Sequence, residues 1–572
     1  MAGRVATEQP GDRFLISRTS LNPLNDSRRL LGRLPTWLWV ALLMALWLAG
    51  LNSAPLLDVD EGAFSEASRE MLSSGDWGHT TLNGADRFDK PILIYWLQSL
   101  GLAVFGVTEA ATRLPSACAA LMWCLAAVRF AEAWAGARAQ RAAAAVVATS
   151  LGVMLIGRAA TADALLNALM CWACLDLWRH LADGDRAPLR RAFLWMGLGM
   201  LTKGPVACLV PGASVLVYLL VSGQIGRLRQ VLGDAWAWVI FFGVATPWYA
   251  YALHRHGMAF IDGFILQHNV NRFLQTREGH GGQAYYTLLV APLLALPWAP
   301  LLITVLGRLR VLWGEPVSRF LLCWAGFALL FFTFSSTKLP HYLLYGTTPL
   351  LILMAGSLAH LRSSGMAVAL ALSQLLLFGG LSWSQQVAGW LATQTKDPLY
   401  QTLLVTASPG PAWWQLAVMG ALWLVIWCWP RRALAERAVL GALLGAFWVV
   451  HIVLPWWART LQSPVHELAE LARERGAEVV QWRARQPSFA FYLGSPTPSR
   501  EPAPGQLALV RKDRLKPEDD VIVVAERRGF ALVEKVARPL TEPTPAASPA
   551  ASVTAGSGPA PQTAPPVSPA AR

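Results

Sequence analysis

Apolar stretches of about 17 to 23 residues recur along the chain from Leu34 to Trp456, separated by short polar segments. A helix of about 20 residues rises about 30 Å, the thickness of a hydrocarbon core. The runs lie near 34–51, 91–107, 112–130, 141–157, 164–179, 190–203, 204–222, 232–252, 285–306, 317–336, 340–359, 365–385, 411–430 and 434–456. This pattern predicts a polytopic α-helical membrane protein. One run differs from the rest: PILIYWLQSLGLAVFGV, 91–107, opens on a proline and reaches only about 25 Å as a helix, which suits a helix lying in the interface. Before it, Ala63, Phe64, Ala67, Met71 and Leu72 recur at three- and four-residue spacing, while Glu66, Arg69 and Glu70 fall on other faces. The first loop is thus expected to carry two in-plane helices, leaving about thirteen spans.

Charge distribution orients these spans. With 91–107 in the interface, the N-terminal segment and the loops near 129–141, 179–191, 227–229, 308–319, 362 and 431–437 share one side and hold most of the arginines. That side is expected to be cytoplasmic, and the C-terminal region periplasmic. The N-terminal thirty residues are polar and Arg-rich without a cleavable apolar core, as in a cytoplasmic tail. Past Trp456 the pattern turns soluble. Ser463 as N-cap, Pro464 at the first helical position and Gly476 at the end predict a helix. Strand-like runs follow at 478–482, 488–493, 506–510, 521–525 and 531–536. The expected organisation is a tail over 1–33, a membrane domain over 34–456, a small α/β domain over 457–540, and a disordered Pro/Ala-rich tail over 541–572.

Composition agrees with the membrane assignment. Hydrophobic residues make up 54% of the 572 and charged residues 15%, where a soluble chain would carry about a quarter. The net charge of +13 is scattered over short loops, which excludes a nucleic-acid-binding face. All seven cysteines fall inside apolar runs, and the CWAC at 171–174 reads as two small packing residues.

In this topology Asp60, Lys90, Asp163, Lys203, Arg272 and Lys338 all reach the outer face. Ionisable groups at a bilayer edge are costly unless they pair or line a wet cavity. Asp60 and Glu61 could also serve as helix-start acids, and Lys203 and Lys338 could snorkel to headgroups. As a set, carboxylates with cations suit group transfer from a lipid phosphate: lysines hold the departing phosphate, and a carboxylate orients or deprotonates the nucleophile. A binder of anionic lipid is the simpler alternative. A lipid-linked anion transporter fits less well, because its ionisable groups would gather near the midplane.

The stretches DVDEGAFSEASREMLSSGDW, LNGADRFDKPILIYWL, FGVTEAATRLPSA, LTKGP and STKLPHYLL, in this order over roughly 34 to 360, resemble the lipid A aminoarabinose transferase group of GT-C membrane glycosyltransferases, relatives of the protein O-mannosyltransferases. The resemblance implies an inverting transfer from an undecaprenyl-phosphate-linked sugar to a periplasmic acceptor, lipid A or a protein hydroxyl, at the bacterial inner membrane. It implies that Asp60 and Asp163 are the catalytic acids, and that Lys90, Lys203, Arg272, Tyr342 and Lys338 contact the donor phosphate. The family commonly reads Tyr-Phe-Glu-Lys-Pro where this chain has Arg87-Phe88-Asp89-Lys90-Pro91, which alters the donor-sugar side and leaves the sugar open among aminoarabinose and related pentoses or hexoses. In some relatives that acid and a loop histidine hold zinc, which makes Asp89 and His268 a candidate metal pair. One carboxylate and one imidazole are too few for a closed zinc site, so no cofactor is required by the sequence. His280 lies in a Gly-rich stretch suited to closing over a substrate.

Overall fold

The computed structural model describes residues 36–135, 137–271, 285–430 and 432–536. The N-terminal tail, Arg272, His280, Arg431 and the Pro/Ala-rich tail lie outside the described residues.

Among the described residues, five helices are long and apolar enough to cross a membrane: Glu109–Glu132, Pro316–Phe334, Pro340–Ala359, Ser364–Ser382 and Leu434–Glu474. Two bent pairs, Ala139–Ala148 with Leu151–Arg158 and Ile225–Leu232 with Ala235–His256, raise the number to seven. Other apolar runs form shorter helices, including Leu38–Leu48 and Val206–Val221. The interruptions have local causes. At the first bend, the Thr149 and Ser150 hydroxyls donate back to the Ala145 and Val146 carbonyls, competing with the helical ladder. Between Arg186–Lys203 and Val206–Val221, Gly204 takes φ 86° and Pro205 follows. Small side chains let the helices approach: a Cβ on Gly157 would sit 2.3 Å from the Trp47 ring.

The first loop contains helix α1 (Asp60–Ser74), a hairpin of β1 (Thr81–Leu82) and β2 (Ala85–Asp86), and helix α2 (Leu93–Phe105). Helix α1 ends where Gly75 adopts φ 71° and donates its N–H to Met71. α2 has 13 residues, about 20 Å, too short to cross, as expected for an in-plane element. The sequence places Glu66, Arg69 and Glu70 off the apolar face of α1. In the fold Glu61, Glu66, Arg69 and Glu70 are nevertheless buried with that face. Each has a different cover: Glu61 meets Arg113 and Ala160, Glu66 pairs with Arg69, Arg69 reaches Gly494 of the C-terminal domain, and Glu70 accepts from Thr81, Asn83 and Gly84 of the hairpin.

That domain begins inside a continuous helix. Helix α3 (Leu454–Glu474) carries the membrane helix straight through Ser463 and Pro464, so these residues do not start a helix. Pro464 therefore lies in the helix interior, where it leaves one i→i−4 hydrogen bond unmade. The predicted end holds, with Gly476 at φ 62°. Four strands follow, β3 (Val479–Gln481), β4 (Leu507–Arg511), β5 (Val521–Arg527) and β6 (Phe530–Lys535), ordered β3-β4-β6-β5. β3 and β4 are parallel and the other pairs antiparallel. The run 488–493, expected as a strand, is helix α4 (Pro487–Leu493), with Pro487 in its first turn and Gly494 at φ 82° after its end.

Candidate active site

Asp60 opens α1, is exposed, and lines a cavity of about 280 Å³ at the rim of the membrane domain. Asp163, from the first turn of helix Asp163–Asp183, lines the same cavity, as does His341 from the KLPHY turn. The two acids come from separate elements, 103 positions apart, and converge on one space.

The geometry is fixed by buried ion pairs. Glu61, next to Asp60, accepts Nε (2.9 Å) and Nη2 (2.7 Å) of Arg113. It also accepts the Leu57 N–H at 2.9 Å and the Ala160 N–H at 2.8 Å. Arg113 gives its remaining donors to the carbonyls of Leu51, Ala54 and Pro55, so the guanidinium is fully used. Burial alone would push the Glu61 carboxyl up, but Arg113 outweighs it and holds the group below the usual carboxylate range. Because Ala160 lies three residues before Asp163, this one carboxylate ties the start of the Asp60 helix to the start of the Asp163 helix. Arg158 donates to the carbonyls of Leu46, Trp47 and Ala49, capping the helix that precedes the loop.

Asp163 is ion-paired with Lys203, the last residue of its helix. The Lys203 ammonium also lies 3.1 Å from the Tyr345 hydroxyl and 4.9 Å from the Tyr342 ring centroid. His341 Nε2 is 3.7 Å from Asp163 Oδ1. The expected residues Asp163, Lys203 and Tyr342 are thus brought together, with Lys203 already neutralised by the acid. Lys90 is within electrostatic reach of Asp163 and donates to the Asp89 carbonyl at 2.9 Å. Lys338 departs from expectation. Its ammonium donates to the carbonyls of Thr333 (2.6 Å) and Ser335 (3.1 Å), capping helix Pro316–Phe334 rather than lining the cavity. Arg272 lies outside the described residues.

Asp89 and His268 do meet, with Nε2 to Oδ1 at 2.8 Å, while Arg87 holds the other Asp89 oxygen at 3.0 Å. Burial opposes ionisation here, but the His268 hydrogen bond and Arg87 hold the Asp89 carboxyl well below its ordinary value. Among the described residues no three His, Cys, Asp or Glu side chains are grouped to hold a metal ion. Asp89 and His268 are thus brought together as a two-member pair with Arg87 on the second carboxylate oxygen, fewer ligands than a closed zinc site takes.

Sequence reasoning missed Arg113 and Tyr345, and it named Glu61 only as a helix-start acid. The signals were present, since Arg113 stands in TRLPSA and Tyr345 one residue past STKLPHYLL, but their partners lie 52 and 142 residues away.

A family model described as dolichyl-phosphate-mannose-protein mannosyltransferase matches residues 89–251. The undecaprenyl phosphate-alpha-4-amino-4-deoxy-L-arabinose arabinosyl transferase of Pseudomonas aeruginosa (strain UCBPP-PA14) is 31% identical over 484 residues, covering 79% of this chain and 85% of that protein. Its namesake from Aeromonas salmonicida (strain A449) is 30% identical over 358 residues, 61% of this chain, and the match spans only 64% of that relative's length. Two crystal structures of ArnT from Cupriavidus metallidurans, one bound to undecaprenyl phosphate and one apo, superpose with TM-scores of 0.70 and 0.73. They are 22% and 21% identical to this chain, and each match covers 87% of it and 97% of the solved chain, so the fold is shared. The converging acids, the order of the motifs and the extent of the match to the Pseudomonas relative place this chain in the undecaprenyl phosphate-alpha-4-amino-4-deoxy-L-arabinose arabinosyl transferase family of GT-C membrane glycosyltransferases.

Proposed function

We propose that this chain transfers aminoarabinose, or a related sugar, from undecaprenyl phosphate to lipid A at the periplasmic face of the inner membrane. The observation that carries this reading is the convergence of Asp60 and Asp163 on one rim cavity beside Lys203. In the reaction, the bond between the anomeric carbon and the donor phosphate oxygen breaks, and its electron pair leaves with undecaprenyl phosphate. An acceptor oxygen attacks the opposite face and forms the new glycosidic bond with inversion. Lys90 balances the charge developing on the leaving phosphate. Asp60 faces the acceptor. It takes the proton from a hydroxyl acceptor, or positions a phosphate acceptor, which needs no deprotonation. Asp163 holds Lys203 at the cavity, where a donor phosphate would share that cation. No step is assigned to a metal.

Thirteen spans with a cytoplasmic N-terminus and a periplasmic C-terminus, divided at about 34, 456 and 540, complete the proposal. The arginine-rich loops on one side support it. The test is mass spectrometry of lipid A from cells with the chain, without it, and with Asp60→Asn. A mass increment that needs both the chain and Asp60 supports the reading and reports the sugar's mass; an increment that survives Asp60→Asn sinks the assignment of Asp60. A protein hydroxyl is the second acceptor to examine, because the matched family model describes a protein mannosyltransferase. It predicts unchanged lipid A and a sugar-bearing periplasmic protein.

A further inference from the structure

The C-terminal domain touches the chain two residues before Asp60. The backbone N–H of Ser488, in α4, donates to Asp58 Oδ1 at 3.0 Å, and the Ser488 hydroxyl donates to Asp58 Oδ2. Two residues earlier, the Leu56 N–H donates to the Tyr492 hydroxyl at 2.7 Å, and that hydroxyl donates to Glu109 Oε1 at 3.2 Å. Ser488 is fully buried in this contact. The approach is close enough that a Cβ on Gly62 would lie 2.0 Å from Asp58 Oδ1 and 2.5 Å from the Ser488 nitrogen. Only glycine at position 62 admits the domain so near the start of α1.

The membrane domain grips the same segment through Glu61, which accepts from Arg113 and from the Ala160 N–H. Residues 56 to 61 are therefore held at four points, two by each domain, and Asp60 stands exposed between them. Other contacts between the domain and the first loop act elsewhere. Arg69 Nη1 donates to the Gly494 carbonyl at 2.9 Å, and Asn83 Oδ1 accepts from the Thr497 N–H at 3.1 Å and from its hydroxyl at 3.2 Å. These hold the domain on the loop without touching the Asp60 segment.

Building on the reading of Asp60 as the acceptor-facing acid, we propose that the C-terminal domain is part of the catalytic apparatus, with Ser488 and Tyr492 as positioning residues that set Asp60 by gripping Asp58 and Leu56. A carboxylate displaced by about 1 Å from its productive position can lose about 100-fold in rate without any loss of ground-state affinity. A contact that merely docks the domain would change stability and leave kcat alone.

The experiment uses the full-length chain in membrane vesicles supplied with undecaprenyl phosphate-aminoarabinose and lipid A. Ser488→Ala and Asp58→Ala are each expected to lower kcat at least tenfold, with the donor KM within about twofold of the parent. Asp58→Asn keeps an acceptor for the Ser488 N–H and a donor for its hydroxyl, so it should recover most of the rate. The double variant, Asp58→Ala with Ser488→Ala, should be no slower than Asp58→Ala alone, because losing the carboxylate already removes both Ser488 hydrogen bonds. Thr497→Val serves as the docking control, lowering the unfolding temperature while kcat stays at the parent value. Parent-like kcat in Ser488→Ala and Asp58→Ala, while Asp60→Asn abolishes transfer, overturns the positioning role and leaves the proposed function standing. Equal kcat losses in Thr497→Val and Ser488→Ala reduce the domain to a structural support and overturn it as well. Normal transfer by Asp60→Asn would instead defeat the underlying reading. If Ser488→Ala does not fold, the contrast between Asp58→Asn and Asp58→Ala decides the question alone.

Discussion

Asp60 and Glu61 are adjacent carboxylates at the start of one helix, and the structure gives them opposite surroundings. Glu61 is 4% exposed and accepts four hydrogen bonds, two of them from one guanidinium. Asp60 is exposed; both acids line the rim cavity, but Glu61 does so from a buried position paired with Arg113. A helix turns about 100° per residue, so consecutive side chains cannot share a face, and one acid can anchor the loop while the next is left to work. The contrast teaches that an acid-rich stretch at a membrane lip is not one functional patch. Burial and pairing separate the architectural charges from the chemical ones.

The largest effect is expected from unpairing the architectural acid. Arg113→Ala leaves Glu61 buried without its cation and frees the carbonyls of Leu51, Ala54 and Pro55. Breaking one side of a buried pair costs about 3–5 kcal/mol, a large part of the stability of most folds. The expected result is loss of monodisperse protein on detergent extraction, measured by size-exclusion chromatography. Parent-like yield and profile would break the comparison at its architectural end. Asp60→Asn sits at the other end. The unfolding temperature should stay within about 1 °C of the parent, while transfer falls roughly 100-fold or more.

The two lysines beside prolines repeat the contrast more mildly. Lys203 in LTKGP and Lys338 in STKLP look alike in sequence, but one ends on a carboxylate at the cavity and the other on backbone carbonyls. Lys203→Met should raise the donor KM and lower kcat together, since it removes the cation paired with Asp163, which lines the cavity. Lys338→Met should cost about 1–2 kcal/mol of stability through unsatisfied carbonyls, with KM unchanged. If both variants gave the same kinetic defect, the capping assignment of Lys338 would fall.

What was legible in the sequence follows the range of the interactions involved. Apolar periodicity marks α1 and α2 because burial of one face is a local pattern, and Gly75 and Gly476 mark helix ends through their own backbone angles. The motif acids Asp60 and Asp163 were found because each opens a helix beside an apolar run. The failures are all long-range. SFAFYL alternates in a way that suggests a strand, but α4 is wedged between α1 and α3, so every one of its side chains is buried and the alternation carries no information. Glu66, Arg69 and Glu70 fall off the apolar face of α1, and the pattern does not show that Arg69 meets Gly494, some 400 residues away, or that Glu70 takes the hairpin's donors. Ser463 and Pro464 look like a helix start, yet α3 was already under way. Lys338 could not be separated from Lys203 without knowing which partner each one meets.

The smallest expected effect concerns Asp58, which stands between the two extremes because it is held by Ser488 yet lines the cavity. Burial pushes its carboxyl up to about 7, against the pull of the two Ser488 hydrogen bonds, with the charges of Glu61 and Asp60 adding to the rise. In the unfolded chain the same group ionises near 4. Between these values the folded state keeps a proton that the unfolded state releases, so this group's contribution to stability weakens as pH rises from about 4 to about 7 and is constant above. Glu61 has the opposite sign, since its carboxyl is held low and its contribution is lost only as pH falls below the ordinary range. From pH 5 upward, therefore, Asp58 is the member of this segment that moves. Asp58→Asn cannot ionise and should flatten the profile. The unfolding temperature of the variant minus that of the parent is expected to grow by about 2 °C from pH 5 to pH 7 and then level off. A difference that stays the same at every pH would mean that Asp58 is charged throughout, and would move it to the side of Glu61, among the acids that only hold the loop in place.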